Sequence, residues 1–308
     1  MSKHVAVLMG GWSSERPVSL RSGEGCAAAL EEKGYRVSRV DVGRDVASVL
    51  MQIKPDVAFN ALHGPYGEDG TIQGLLEILA IPYTHSGVLA SSLAMDKDKA
   101  KMVLAAEGVP VPFGKIVSRE EAAKAHVMEP PYVLKPVNEG SSFGVVIVKE
   151  GRSHPPQELT SPDWRYGERL LAEKYVAGLE LTCAVMGDRA LDIIEITAVS
   201  EAFYGYDAKY SKGGSIHTLP ARLQPNIYHR IQELSLRAHR ALGCRGVSRA
   251  DFRYDEAKDE LVCLEVNTQP GMAETSLAPE MAAYAGISFG ELVSWLVGGG
   301  SCRRWAIA

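Results

Sequence analysis

Two runs of alternating polar and apolar residues, Val247 to Tyr254 and Val262 to Asn267, flank a polar stretch from Asp255 to Glu260. Strict alternation is the period of a half-buried strand, and a short polar connection between two such runs makes them an antiparallel hairpin. Ala250, Phe252 and Tyr254 then point one way, and Arg249, Asp251 and Arg253 the other. In the second run Val262, Leu264 and Val266 oppose Cys263, Glu265 and Asn267. Folding about Lys258 sets Asp251 opposite Glu265 and Arg249 opposite Asn267, all on one face. Two carboxylates and an amide oxygen so placed make a hard oxygen site of the kind that Mg²⁺ shares with substrate phosphates. The same pattern also describes a solvated face carrying Arg–carboxylate pairs. Pro270-Gly271 ends the second strand abruptly, and an exposed N–H there, beside Arg249, suits a developing oxyanion.

A chain of 308 residues is long enough for two or three domains with a sizeable core. Hydrophobic residues at 46% and charged residues at 23% describe an ordinary soluble globular protein. The net charge of −5 argues against a surface that coats nucleic acid. Five cysteines without CxxC spacing indicate neither a disulfide framework nor a zinc site. The first apolar run reaches only Gly10-Gly11, too short for a signal peptide, and no apolar run is long enough for a membrane span. A reducing cytoplasm is the expected location.

His4 to Met9, Tyr35 to Val42 and Asp56 to Leu62 read as strands, with Val18 to Lys33 and Val46 to Ile53 as the helices between them. That alternation predicts a parallel sheet whose ligands gather at the carboxyl ends of the strands. Glu15 follows the first strand, and the loop His63-Gly64-Pro65-Tyr66-Gly67-Glu68-Asp69-Gly70 follows the third. Gly23-Glu24-Gly25-Cys26-Ala27-Ala28 matches a dinucleotide fingerprint, but it falls inside a helix and not in a strand-to-helix turn, so close helix packing explains it. No GxxxxGK[ST] run is present.

From Asp96 to Glu107 a charged helix carries Lys97, Lys99 and Lys101. Tyr132 to Lys135 and Val145 to Lys149 read as strands around Pro136 to Gly144, a Gly- and Ser-rich loop. Such a loop can wrap phosphate oxygens with its N–H groups or be a plain long hairpin turn. Lys135, polar at the end of an apolar strand, favours phosphate. Gly151 to Asp163 reads as a surface loop, and Leu170 to Val176 as a strand followed by Gly178 and Glu180. Ala202 to Ser215, with Tyr204, Tyr206, Lys209 and Tyr210, reads as a lid or a surface excursion. Arg230 to Leu242 is an amphipathic helix, and Gly298-Gly299-Gly300 opens a frayed tail without function.

Taken together, the carboxylate hairpin, the lysine with its flap and the HGPYGEDG loop resemble the D-alanine–D-alanine ligases of the ATP-grasp superfamily, over nearly the whole chain. The resemblance implies an α/β protein: an N-terminal Rossmann-like parallel-sheet domain (1–95) followed by a two-part ATP-grasp fold (96–178 and 179–308), with ATP between the last two. It implies phosphate contacts from Lys97 and Lys135, further ATP contacts from Ser142 in the flap and from Lys209, adenine contacts from Glu173, Lys174, Tyr175 and Val176, and a ribose contact from Glu180. Asp251, Glu265 and Asn267 match ligands for Mg²⁺, two ions being expected and Mn²⁺ an alternative. Arg249 and Gly271 match oxyanion donors, and Ser276 and Leu277 match the surroundings of the second substrate's carboxylate. Glu15 fits the first substrate's ammonium with His63 nearby, while Tyr210, Ser141 and Glu15 match the group tying the lid to the site. The implied activity is ligation of two D-alanines through an acyl phosphate, for peptidoglycan precursors. The expected partners are D-alanine, ATP and a second copy of the chain, with no nucleic acid or membrane. Two rivals stay open: a close variant making D-Ala-D-lactate or D-Ala-D-Ser, and a nucleotide-binding module without turnover. The second predicts a broken metal or oxyanion set, and Asp251, Glu265, Asn267, Arg249 and Gly271 are all intact.

Overall fold

Strand β1 (His4–Met9) is buried along its whole length, as a continuous apolar run is when helices cover both faces of a parallel strand. A computed structural model describes residues 2–151, 156–199 and 214–302. β1 leads through Gly10, at φ 79°, into α1 (Arg16–Glu32). A Cβ on Gly10 would lie 2.1 Å from Asp41 Oδ1, so only glycine lets the chain turn past the neighbouring strand end. β2 (Arg36–Asp41), α2 (Val46–Ile53) and β3 (Val57–Asn60) follow, and the sheet order β2-β1-β3 is parallel throughout. Gly23 lies inside α1, where a Cβ would come within 2.5 Å of Met9 Cβ, so the fingerprint-like run serves close helix–strand packing.

Next come α3 (Thr71–Ile78), α4 (Val88–Met95) and α5 (Lys97–Ala106), the last capped by the Asp96 side chain accepting from the Lys99 N–H at 3.1 Å. β4 (Gly114–Ser118), α6 (Arg119–Lys124), β5 (Tyr132–Pro136), β6 (Val146–Val148) and β7 (Arg169–Lys174) then build an antiparallel sheet in the order β4-β7-β5-β6. The expected surface loop of Gly151 to Asp163 is partly anchored. A 3₁₀ turn at Gln157–Thr160 sinks Leu159 into the core of this sheet, because one apolar side chain suffices to hold a polar loop down.

The third sheet, ordered β10-β9-β8-β11-β12, is antiparallel: β8 (Leu179–Met186), β9 (Arg189–Ala198), β10 (Ser215–Thr218), β11 (Val247–Asp255) and β12 (Glu260–Asn267). Helix α7 (Pro225–Ala241) packs on it and starts five residues before Arg230, with a proline in its first turn where the missing N–H has no partner to lose. α8 (Leu277–Tyr284) and α9 (Phe289–Gly298) close the chain. They lie in one apolar core with Val5, Val7 and Phe59 of the first sheet and Ile194 of the third, so this core joins the two. No single described helix is long and apolar enough to cross a membrane; α8 and α9 pass by length and composition only as a pair bent by 104°.

Two expectations need correction here. The second hairpin strand does not alternate strictly: a bulge between Asp251 and Phe252 sets Asp251 against Glu265 but Phe252 against Cys263. Leu264 is the extra residue, so it faces the cleft beside Glu265, while Cys263 turns into the core with Phe252. The tail also fails to fray at Gly298 to Gly300. Ser301 exchanges backbone bonds with Tyr83 (3.2 and 3.3 Å), and its carbonyl accepts from Arg245 at 2.7 Å. A Cβ on Gly300 would lie 2.8 Å from Val57, so glycine lets the tail reach the first sheet.

Candidate active site

The second and third sheets face each other across a cleft of about 1040 Å³, counted to its open mouth. β5, β6 and the end of β7 supply Val133, Lys135, Ile147 and the run Glu173 to Val176. The opposite wall carries Glu180, Leu181, Ile196, Arg249, Asp251, Arg253, Leu264 and Glu265. Lys97, Glu139, Gly140 and Ser142 close one end. Of the residues expected around a nucleotide, the described ones (Lys97, Lys135, Ser142, Glu173, Lys174, Tyr175, Val176 and Glu180) all line this cleft. Val133, Ile147, Leu181, Ile196 and Leu264 give it apolar surface against which a flat base could lie.

Beside the site the hairpin pairs as expected, Arg249 with Asn267 and Asp251 with Glu265, but only because the bulge at Leu264 shifts by one the register that starts at the turn with Asp255 opposite Glu260. The Asp251 carboxylate accepts from Arg249 Nε (2.9 Å) and Nη2 (2.8 Å), from Thr182 Oγ1 (2.6 Å) and from Asn267 Nδ2 (2.9 Å). The Arg–carboxylate pair and the oxygen-rich face are therefore both present. Among the described residues no cluster of three or more His, Cys, Asp or Glu forms a closed cage. Asp251 and Glu265 instead offer two carboxylates on the cleft wall, with Asn267 alongside. An open, oxygen-only set suits a hard cation that keeps positions for phosphate oxygens, so the residues fit Mg²⁺. Asn267 would have to turn its amide oxygen inward to join it.

Behind the wall lies a buried charge cluster. Glu173 is held by Lys101 Nζ on one oxygen and Lys135 Nζ on the other, each at 2.5 Å. Lys101 also donates to the Pro112 carbonyl at 2.7 Å. Gly114, paired with Glu173 across β4 and β7, makes the room: a Cβ there would lie 3.0 Å from the Lys101 ammonium. Burial works against the Lys135 charge, but Glu173 outweighs it and holds the ammonium's pKa above its usual value. Burial wins at Lys101, whose pKa lies below the usual one despite Glu173. Burial also pushes Glu173 up, but the two lysines overcome it and keep the carboxyl below its ordinary range. The Glu173 side chain is thus a buried brace for Lys135 as well as part of the segment expected to read adenine.

The first sheet contributes from the other side. Glu15, buried at the start of α1, accepts from the Ser141 hydroxyl of the flap. A Cβ on Gly140 would lie 3.1 Å from Glu15 Oε1, so the flap approaches the carboxylate closely. Ser141 and Ser142 both sit at positive φ (48° and 61°), a conformation that costs non-glycine residues energy and recurs at ligand clamps. His63 is buried between Glu68 (Nδ1 to Oε1, 3.1 Å) and Ser22 (Nε2 to Oγ, 3.2 Å). Burial opposes its charge, yet Glu68 and Glu15 prevail and raise its pKa.

The remaining expected residues divide. Gly271 lies beside Ser276, whose Oγ would be 3.1 Å from a Cβ at Gly271. Ser276 precedes α8, and Leu277 buries its side chain in the core, leaving only its backbone N–H at the helix start for a ligand. Tyr210 and Lys209 lie outside the described residues. Sequence reasoning missed Thr182, Lys101 and Arg253. Arg253 binds Glu180 Oε2 and the Val176 carbonyl (3.2 Å each) and lies 5.9 Å over the Tyr175 ring, bracing the end of the Glu173 to Val176 run against β8. Its alternation with Arg249 and Asp251 already placed it on this face. Lys101 was readable as one turn on from Lys97. Thr182 carried no local signal, since only the pairing of β8 with β11 brings it to Asp251.

Comparison with known proteins bears on this arrangement. The family described as D-ala D-ala ligase C-terminus matches residues 104–298, and that described as D-ala D-ala ligase N-terminus matches residues 45–86. A D-alanine–D-alanine ligase of Xanthobacter autotrophicus is 69% identical over 307 residues, 99% of this chain and 100% of the relative. One from Methylobacterium radiotolerans is 67% identical with the same coverage. A crystal structure of a D-alanine–D-alanine ligase from Bacillus anthracis complexed with ATP is 31% identical, has a TM-score of 0.81, and aligns over 97% of both chains.

Proposed function

The chain belongs to the D-alanine–D-alanine ligase family, and on that premise we propose that it uses ATP to join two D-alanine molecules into D-Ala-D-Ala, for peptidoglycan precursors. The observation that carries the reading is the contact between Glu15 and Ser141. It brings an acid on the first sheet, suited to an amino acid's ammonium, against the flap of the lysine-lined cleft. Nucleotide and amino acid can then meet in one enclosure.

A carboxylate is a poor acylating agent. In the first step an oxygen of the first D-alanine's carboxylate attacks the γ-phosphorus, and ADP leaves with the former bridging oxygen. Lys97 and Lys135 spread the phosphate charge, and catalysis is mostly positioning and charge neutralisation. The adenine lies along Glu173 to Val176 and the ribose at Glu180. Asp251, Glu265 and Asn267 would hold Mg²⁺, as two ions or with Mn²⁺ in its place, and bound metal supplies further neutralisation at the phosphates. In the second step the other D-alanine's neutral amine attacks the acyl carbon. Arg249 and the Gly271 N–H face the oxyanion, the amine proton is lost, and inorganic phosphate leaves. Glu15 and His63 orient the first amino acid, and Ser276 with the Leu277 N–H receives the second carboxylate. Tyr210, with Ser141 and Glu15, would tie the lid to the site and exclude water from the acyl phosphate, and Lys209 would contact ATP. The enzyme works as a cytoplasmic homodimer.

The test is phosphate release with D-alanine, with L-alanine and without amino acid, alongside product mass. Phosphate equal to D-Ala-D-Ala, and D-Ala-D-Ala predominating over depsipeptide when D-lactate is added at equal concentration, supports the reading. Phosphate release indifferent to the amino acid, or predominant depsipeptide, overturns it.

A further inference from the structure

Three buried amides meet where the first sheet touches the segment leading to Gly271. Asn60, the last residue of β3, is fully buried. Its Nδ2 donates to the Gly67 carbonyl (2.9 Å) and to Gln269 Oε1 (2.6 Å), and its Oδ1 accepts from the Leu62 N–H (3.2 Å). Gln269, also buried, donates from Nε2 to the Leu62 carbonyl. Gln73 reaches the same Gly67 carbonyl at 2.8 Å from α3, but its other amide atom has no partner and it does not bond to the C-terminal segment.

The positions matter more than the bonds. Leu62 directly precedes His63, and Gly67 closes the same loop. A Cβ on Gly67 would lie 2.6 Å from Leu62 Cβ and 3.1 Å from the His63 nitrogen, so this loop folds tightly onto the strand end. Gln269 stands two residues before Gly271. One side chain therefore bonds to the loop that carries His63 and sits on the turn that carries Gly271, more than 200 residues apart in sequence. Buried amide bonds of this kind have no water to replace a lost partner, so the tie is stiff.

We propose that Gln269, seated on Asn60, is a positioning residue that sets the spacing between the His63 loop and the Gly271 turn. The inference rests on the ligase reading above and deepens it: the first amino acid is held on one of these pieces, and the oxyanion donor for the second step sits on the other. Loosening the tie displaces the acyl phosphate from its acceptor, which slows ligation and gives water time to attack. Misplacement by about 1 Å costs such a step about 100-fold.

Gln269→Met keeps the volume and removes both bonds. Its kcat/KM for D-alanine should fall by about 10- to 100-fold, while ATP affinity measured without amino acid stays within about twofold. ATP consumed per dipeptide should rise well above the wild-type ratio, a readout that mere loss of stability does not move. Should Gln269→Met fail to fold, Gln269→Asn, one methylene too short to reach both partners, should give the same uncoupling. Gln73→Met loses a bond in the same cluster without touching the C-terminal segment, and it should keep wild-type coupling. Wild-type coupling in both Gln269 variants would overturn the inference, as would equal uncoupling in Gln73→Met. If the wild-type enzyme makes no dipeptide at all, the ligase reading itself falls, a result the variants do not mimic.

Discussion

Replacing Glu173 with Gln should be among the most damaging single changes to this protein's stability. The carboxylate is buried, and each oxygen is 2.5 Å from a different ammonium. Without its charge, Lys101 and Lys135 face each other within about 7 Å, which at an effective dielectric of about 20 is worth about 2 kcal/mol of repulsion. Each also loses its attraction to the anion, and removing one partner from a buried ion pair costs about 3–5 kcal/mol. Lys101 can relieve part of this by deprotonating, since burial already holds its pKa below the usual value. The expected net loss is about 3–4 kcal/mol, a fall in Tm of roughly 6–16 °C at 2–4 °C per kcal/mol. The assay is thermal and urea unfolding of the wild type, Glu173→Gln, Lys101→Met and the double variant. Lys101→Met in the Glu173→Gln background removes one of two unpaired cations, so the double variant should be less damaged than the sum of the singles. A Glu173→Gln protein within about 0.5 kcal/mol of the wild type, or additive effects in the double variant, would refute the electrostatic account.

Glu265→Gln keeps the shape of the cleft wall and removes a charge, so Mg²⁺ affinity should drop by at least tenfold or so with the circular dichroism unchanged. Full Mg²⁺ response in that variant would leave Glu265 a merely solvated carboxylate. Amide exchange from Asn138 to Val145 should slow on adding Mg-ATP, because flap N–H groups gain phosphate partners; identical exchange with and without nucleotide would end the phosphate-wrapping assignment. Burial pushes His85 down to about 3 and His239 to about 4, so between those values and 6.5 the unfolded chain binds more protons and stability falls as pH falls. From pH 7 to 5.5 each should cost about 1 kcal/mol. His63, with its raised pKa, opposes the trend by stabilising the fold below its unfolded pKa and losing that contribution as pH rises through the folded one. His85→Phe should flatten the dependence of the urea midpoint on pH, and an unaltered slope would contradict the burial argument.

Much of the site was readable from local pattern. Alternation placed Arg249 and Asp251 on one polar face and Glu265 and Asn267 on another, and the short polar connection made the two runs neighbours in a hairpin. The β-α-β alternation located Glu15 and His63 at strand ends, and the glycines of the flap marked where backbone could approach a ligand. Other features came from contacts between distant segments. The bulge at Asp251 reversed Cys263 and Leu264, since periodicity records which face is wet but not where a strand gains a residue. Thr182 reached Asp251 through strand pairing across 69 residues, and Glu173 became a brace only when α5, β5 and β7 converged on it. Ser301 found Tyr83, and Gln269 found Asn60, across chain separations that no local rule spans. Periodicity, turn residues and caps are written by neighbours in sequence, so the sequence alone determined the elements and the chemistry that each presents. Burial, charge pairing and the distances between catalytic groups depend on which remote segment covers each face, and those the tertiary structure decided.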